Sequence, residues 1–221
     1  KNNITAVVSL EGSLEKLNSC LQALNTWIPQ IIVVLPENND IEKQITNKFN
    51  VSVCFQKASS TKSNWESGLN QTNTPWALLI RSNEIVTGQL RQAITEKIKT
   101  SDGEAYKYLL PLTMVFLKKR FKYPIDWNGS QPSLLVRTSK TINDVNQQRK
   151  YETLGGELVR YCEDTISECA HSVIQKAEER AASLAQHKTH FPTASFFLRT
   201  VISSIKVFVR TYFLKKGFKE G

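Results

Sequence analysis

The sequence is short of most features that define specialised chains. No uncharged apolar run reaches 18 residues, which excludes a multi-span membrane protein. Nine glycines and seven prolines in 221 residues exclude a collagen-like repeat, and no sustained heptad marks a coiled coil. The four cysteines, Cys20, Cys54, Cys162 and Cys169, form no CxxC pair and fit no zinc spacing. They read as reduced thiols of a cytosolic chain rather than as a disulfide framework. His171 follows Cys169 by two residues, and one such pair does not make a metal site. No RNP, KH or zinc-finger signature is present, so nucleic acid is not an expected partner.

What remains is globular. Hydrophobic residues make up 40% and charged residues 22%, and a compact chain of this length buries roughly 70% of its unfolded surface. The formal net charge is +9, which favours anionic partners. The excess is uneven. Arg199, Lys206, Arg210, Lys215, Lys216 and Lys219 face one acid, Glu220, in the segment from Phe191.

Four short apolar runs alternate with helical patterns. Ile4–Leu10, Ile31–Leu35, Val51–Phe55 and Trp76–Ile80 have the continuous apolar character of strands buried on both faces. Between them, Leu14, Leu17, Leu21 and Leu24 recur at helical spacing behind Ser13 as an N-cap. Asp40 is placed to cap a helix running to Lys48, a third helix is expected over Asn64–Asn70, and a fourth over Gly88–Lys99. This alternation predicts an α/β fold with a mostly parallel, Rossmann-like sheet covered by helices on both faces. Ligands of such sheets bind beyond the carboxyl ends of the strands. Here those ends are Ser9–Gly12, Pro36–Asp40, Gln56–Ser60 and Arg81–Glu84.

Further on, Tyr106–Pro111 and Ser133–Arg137 read as short strands, and the pattern turns helical from Gly155 to about Lys188. Over Ala194–Leu214, Arg199, Lys206 and Arg210 share one helical face, with Phe197, Val201, Ile205, Phe208 and Tyr212 opposite. A basic face against an aromatic-apolar face suits a membrane interface. Residues 1–150 are thus expected to form the binding domain and 151–221 a C-terminal helical region.

The runs ITAVVSL and IIVV, the segment Trp-Ala-Leu-Leu-Ile-Arg-Ser-Asn-Glu at 76–84, and the ending YFLKKGFKEG at 212–221 resemble family 2 glycosyltransferases of the GT-A fold. More narrowly, they resemble the lipopolysaccharide-core and lipooligosaccharide glucosyltransferase branch. The resemblance implies transfer of a hexose from a nucleotide-sugar to a glycan or glycolipid acceptor, by a cytoplasmic protein peripheral to the inner membrane through 194–219. It implies Ser9, Glu11, Glu37, Asp40, Lys57, Asn64, Arg81, Ser82 and Asn83 around the nucleotide-sugar, and Asp126 and Trp127 around the acceptor. Glu152, matched to the glutamate of the family's His-Glu pair, is the expected general base, with Glu84 as a second catalytic carboxylate.

The departures from the pattern are chemical. The family's nucleotide-holding aspartate at the end of the second strand is Leu35, and its DxD pair becomes Arg81 and Asn83. Mg²⁺ or Mn²⁺ is disfavoured, because hard cations take anionic oxygens and Asn83 supplies one neutral oxygen. Arg81 is expected to neutralise part of the diphosphate charge instead. The other reading of the same losses is a catalytically degenerate GT-A domain that binds a saccharide, a membrane or a partner enzyme.

Overall fold

The structure is a computed structural model that describes residues 3–37, 41–57, 60–100, 107–121, 132–138 and 152–162. Asp40, Asp126, Trp127 and the expected helix at 194–214 lie outside the described residues. The chain divides into two compact units, Lys1–Leu112 with Gln131–Arg160, and Thr113–Ser130 with Tyr161–Gly221. This differs from the single boundary expected at residue 150.

In the first unit the expected alternation is present. Strand β1 (Ile4–Ser9) leads to α1 (Leu14–Asn25), β2 (Gln30–Pro36), α2 (Ile41–Thr46), β3 (Ser52–Gln56), α3 (Thr61–Leu69) and β4 (Trp76–Arg81). After β5 (Glu84–Val86) comes α4 (Gly88–Thr100), then β6 (Lys107–Leu109), β9 (Leu134–Arg137), β10 (Glu152–Thr153) and β11 (Leu158–Tyr161). The seven-stranded sheet has the order β10-β6-β9-β4-β1-β2-β3. Strands β3, β2, β1 and β4 are parallel, and β9 runs antiparallel between β4 and β6.

The strands read as continuous apolar runs because both faces are covered. Along β1, Ile4, Ala6 and Val8 point into one core with Leu17, Leu21 and Leu24 of α1, Ile45 of α2 and Leu90 and Ile94 of α4. Val7 points the other way, into a core with Ile32, Val34, Cys54, Leu79 and Trp65 of α3. The period of two along a strand imposes this division. The hydroxyl of Ser13 accepts a hydrogen bond from the Lys16 N–H at the start of α1, as its position predicts.

The expected helical pattern from Gly155 needs correction at its start. Leu158–Tyr161 is a strand, paired antiparallel with β5. Leu158 and Val159 are buried, and cross-strand pairing outweighs a weak helical periodicity. In the second unit β7 (Leu112–Phe116) and β8 (Lys119–Phe121) form an antiparallel hairpin.

Gly68 sets how closely α3 approaches the sheet. A Cβ there would lie 2.3 Å from Cγ1 of Val7 and 3.2 Å from Cγ2 of Val34. We expect Gly68→Ala to lower stability by about 1–3 kcal/mol, as overpacking does, despite alanine's better helix propensity. Urea denaturation measures it. The loss should shrink in a Val7→Ala background, and additive effects would show that the clash is not the cause.

Candidate functional site

The carboxyl ends of β1 and β4 lie side by side, Ser9 opposite Arg81. On β4 the alternation that sends Ala77 and Leu79 toward α3 also sends Arg81 there. Its guanidinium stacks over Trp65, 5.1 Å from the ring centre, and Trp65 donates its indole N–H to the Ile80 carbonyl at 3.0 Å. Trp65 and Trp76 are core residues, each 3% exposed.

Glu84 is the centre of the polar structure. It is 0% exposed and accepts five hydrogen bonds. Its Oε2 takes the Arg81 backbone N–H at 2.8 Å and the Ser133 hydroxyl at 2.7 Å. Its Oε1 takes Arg81 Nη1 at 3.3 Å, Arg160 Nε at 2.9 Å and Arg160 Nη2 at 2.7 Å. Arg160 reaches it because the two residues are direct partners across β5 and β11. Arg81 also donates from Nη1 to the Ser133 hydroxyl at 3.2 Å and from Nε to Glu11 Oε1 at 2.9 Å. Glu11 Oε1 accepts a further bond from Thr61 Oγ1 at 2.7 Å. The Ser82 hydroxyl joins the Glu11 backbone in both directions, donating to its carbonyl at 2.6 Å and accepting from its N–H at 2.7 Å. Asn64 completes the cluster by donating to Ser9 Oγ at 3.0 Å.

Of the residues expected around a nucleotide-sugar, the structure therefore brings Ser9, Glu11, Asn64, Arg81 and Ser82 into one cluster. Glu37 and Lys57 are exposed just beyond β2 and β3, at the same edge of the sheet. Leu35 is a core side chain, 1% exposed.

The geometry places three of the expected residues as follows. Arg81 is 1% exposed and its charge is met by two carboxylates, so it does not face a diphosphate as a spare cation. Glu84 is 0% exposed and both its oxygens are taken up by five hydrogen bonds, so neither faces a substrate. Glu152 lies on β10 in register with Tyr108, which pairs with Leu135 and through it with Leu78. That is three rungs short of Arg81 and three strands away, about 14 Å along the hydrogen-bonding direction. Glu152 is exposed and pairs with Lys97 at 2.8 Å, and this hydrogen bond raises the Lys97 pKa.

The segment 81–84, where the resemblance implied a metal-binding motif, does not fit a divalent cation. Arg81, Ser82 and Glu84 are committed to one another and to Glu11. What is left is Asn83 Oδ1, a buried neutral oxygen with no hydrogen-bond partner among the described residues. Such a cation takes six or more oxygens, several of them anionic. No group of three His, Cys, Asp or Glu side chains among the described residues could hold a metal.

Reading the sequence missed Arg160, Ser133 and Thr61. An arginine inside the apolar strand Leu-Val-Arg-Tyr at 158–161 was an available signal, because a charge in a strand demands a partner. Nothing local marks Ser133.

The mostly parallel sheet flanked by helices is that of a GT-A fold, and solved structures agree. The chain is similar to S. aureus TarS 1-349 in complex with UDP-GlcNAc, with a TM-score of 0.53 and 13% identity, covering 75% of this chain and 60% of that one. It is also similar to GalNAc-T7 with UDP, GalNAc and Mn²⁺, with a TM-score of 0.52 and 7% identity, covering 72% of this chain and 44% of that one. The chain thus spans less than two thirds of either. No family model and no curated protein matches it.

Removing Glu84 leaves two guanidinia buried against each other. We expect Glu84→Ala to cost about 3–5 kcal/mol, whereas Glu152→Ala removes an exposed pair and costs less than about 1 kcal/mol. Thermal and urea unfolding distinguish the two, and equal losses would refute the assignment of Glu84 as the structural carboxylate. The Cys20 thiol contacts the Arg81 carbonyl at 3.7 Å, and burial, reinforced by Glu84, pushes its pKa well up. It should therefore resist a thiol reagent at pH 8 in the folded protein and react once unfolded, as read by peptide mapping.

Proposed function

We propose that this chain is a glycosyltransferase that binds a nucleotide-sugar beyond the carboxyl ends of β1, β2, β3 and β4 and transfers the hexose to a glycan or glycolipid acceptor. The observation that supports it most is the GT-A strand order with a polar cluster at the edge where such sheets bind ligands. One TM-score neighbour above 0.5 is a UDP-GlcNAc complex. In this reading Ser9, Asn64 and Asn83 face the donor, and the exposed Lys57 and Glu37 border it. The acceptor is a lipopolysaccharide-core saccharide, met by Asp126 and Trp127. The segment 194–219, with its basic face and its YFLKKGFKEG ending, makes the peripheral contact with the inner membrane from the cytoplasmic side.

The chemistry asks for two things: stabilisation of a nucleoside diphosphate leaving group and a base for the acceptor hydroxyl. The donor set argues that the first is met without a divalent cation, because the carboxylates that would hold one are absent or already paired. Arg81 contributes by position: tied to Glu11 and Glu84, it holds the ends of β1 and β4 together. For the second, Glu37 is a carboxylate at this edge with no hydrogen bond or ion pair among the described residues.

A second reading has its own support. The charge-neutralised Arg81, the saturated Glu84 and the distant Glu152 also suit a GT-A domain that has given up catalysis and binds a saccharide or a partner. Calorimetric titration with UDP, GDP, UDP-glucose and UDP-GlcNAc, each with Mn²⁺ and with chelator, separates the readings. We expect micromolar binding of a uridine nucleotide, unchanged by chelator. Strict dependence on Mn²⁺ would refute the metal-free site, and no binding across the panel would leave the second reading.

A further inference from the structure

The hairpin of β7 and β8 carries a feature that the polar cluster does not use. Its register pairs Met114 with Phe121, Val115 with Arg120 and Phe116 with Lys119. Leu117 and Lys118 are left as a two-residue turn, and both have positive φ, 48° and 62°. Turns of this kind favour Asn-Gly, because a left-handed backbone costs any residue with a Cβ, and a bulky one most. This chain instead keeps a leucine and a lysine there. Strain retained at an exposed turn is a reason to ask what the strained side chains do.

The charge around the turn answers in one direction. Lys118, Lys119 and Arg120 are consecutive and exposed. No acidic residue occurs between Glu104 and Asp126. Leu117, Phe116 and Phe121 are half-buried beside the cations. Cations at a narrow tip, interleaved with apolar side chains, match a surface that is negative at its face and apolar just beneath. A nucleic-acid groove would meet the same charges but offer Leu117 no apolar environment.

We propose that the tip of this hairpin, Leu117–Arg120, docks onto an anionic lipid surface. Lys118 and Lys119 engage headgroup phosphates, and Leu117 enters the boundary of the acyl region. The proposal uses no residue of the segment 194–219 and does not depend on nucleotide binding, so it stands or falls apart from the transferase reading.

The test is co-sedimentation of the full chain with vesicles of phosphatidylcholine alone, or mixed equally with phosphatidylglycerol. We expect partition onto the anionic vesicles only, weakening as salt rises. At about fivefold per basic side chain, Lys118→Ser with Lys119→Ser should reduce partition about 25-fold. Leu117→Asn with Lys118→Gly should raise the thermal midpoint by roughly 2–4 °C while weakening partition, which separates binding from folding. An Arg199→Ser, Lys206→Ser, Arg210→Ser variant should keep the part of the partition that depends on Lys118 and Lys119. Wild-type protein that stays in the supernatant, or partition unaffected by the Lys118 and Lys119 substitutions, overturns the proposal. So does retention on a short DNA duplex, sensitive to the same substitutions, in place of vesicle binding.

Discussion

The fully buried carboxylate of Glu84 is the constraint on which the carboxyl edge of the sheet depends. A charge removed from water must be repaid by partners with good geometry, and Glu84 has five donors from three residues. Those donors come from β4, from β11 and from the residue that precedes β9. One side chain therefore fixes where three strands end relative to one another. Through Arg81 the same network reaches Glu11 after β1, and through Thr61 it reaches the first turn of α3.

This arrangement changes what the edge can do chemically. The end of β4 holds a buried arginine, and two carboxylates near it, Glu11 and Glu84, are turned to its guanidinium. The positive charge of Arg81 is thus neutralised within the protein, and Lys57, exposed just beyond β3, lies outside that network. Asn83 Oδ1, buried and without a hydrogen-bond partner among the described residues, is the polar atom at this edge that folding leaves unsatisfied. Buried polar atoms in that state are uncommon, and a ligand donor would remove the deficit.

The packing on the other side of the sheet is conventional by comparison. Helices α1, α2 and α4 bury aliphatic stripes against alternate residues of the strands. The opposite face has the single helix α3 among the described helices, brought close by Gly68. That close approach places Asn64 and Thr61 against the ends of β1 and β4, so a packing glycine and the polar cluster are parts of one arrangement.

The parallel strands and the first four helices were legible in the sequence because burial on both faces leaves continuous apolar runs, and amphipathic spacing is a local property. The position of the polar cluster followed from the same pattern, since the strand ends carry Ser9, Glu11, Arg81 and Ser82. The direction of the side chains was not legible. Arg81 and Glu84 are three residues apart, and nothing in that spacing says whether they face a ligand or each other. Arg160 and Ser133 lie 76 and 49 residues from Glu84, and only the pairing of β11 with β5 and the course of the chain into β9 bring them to it. Local periodicity thus determined the parallel strands and the helices between them. Long-range pairing decided which charges neutralise one another, because desolvation acts on side chains that meet in space and not on neighbours in the chain.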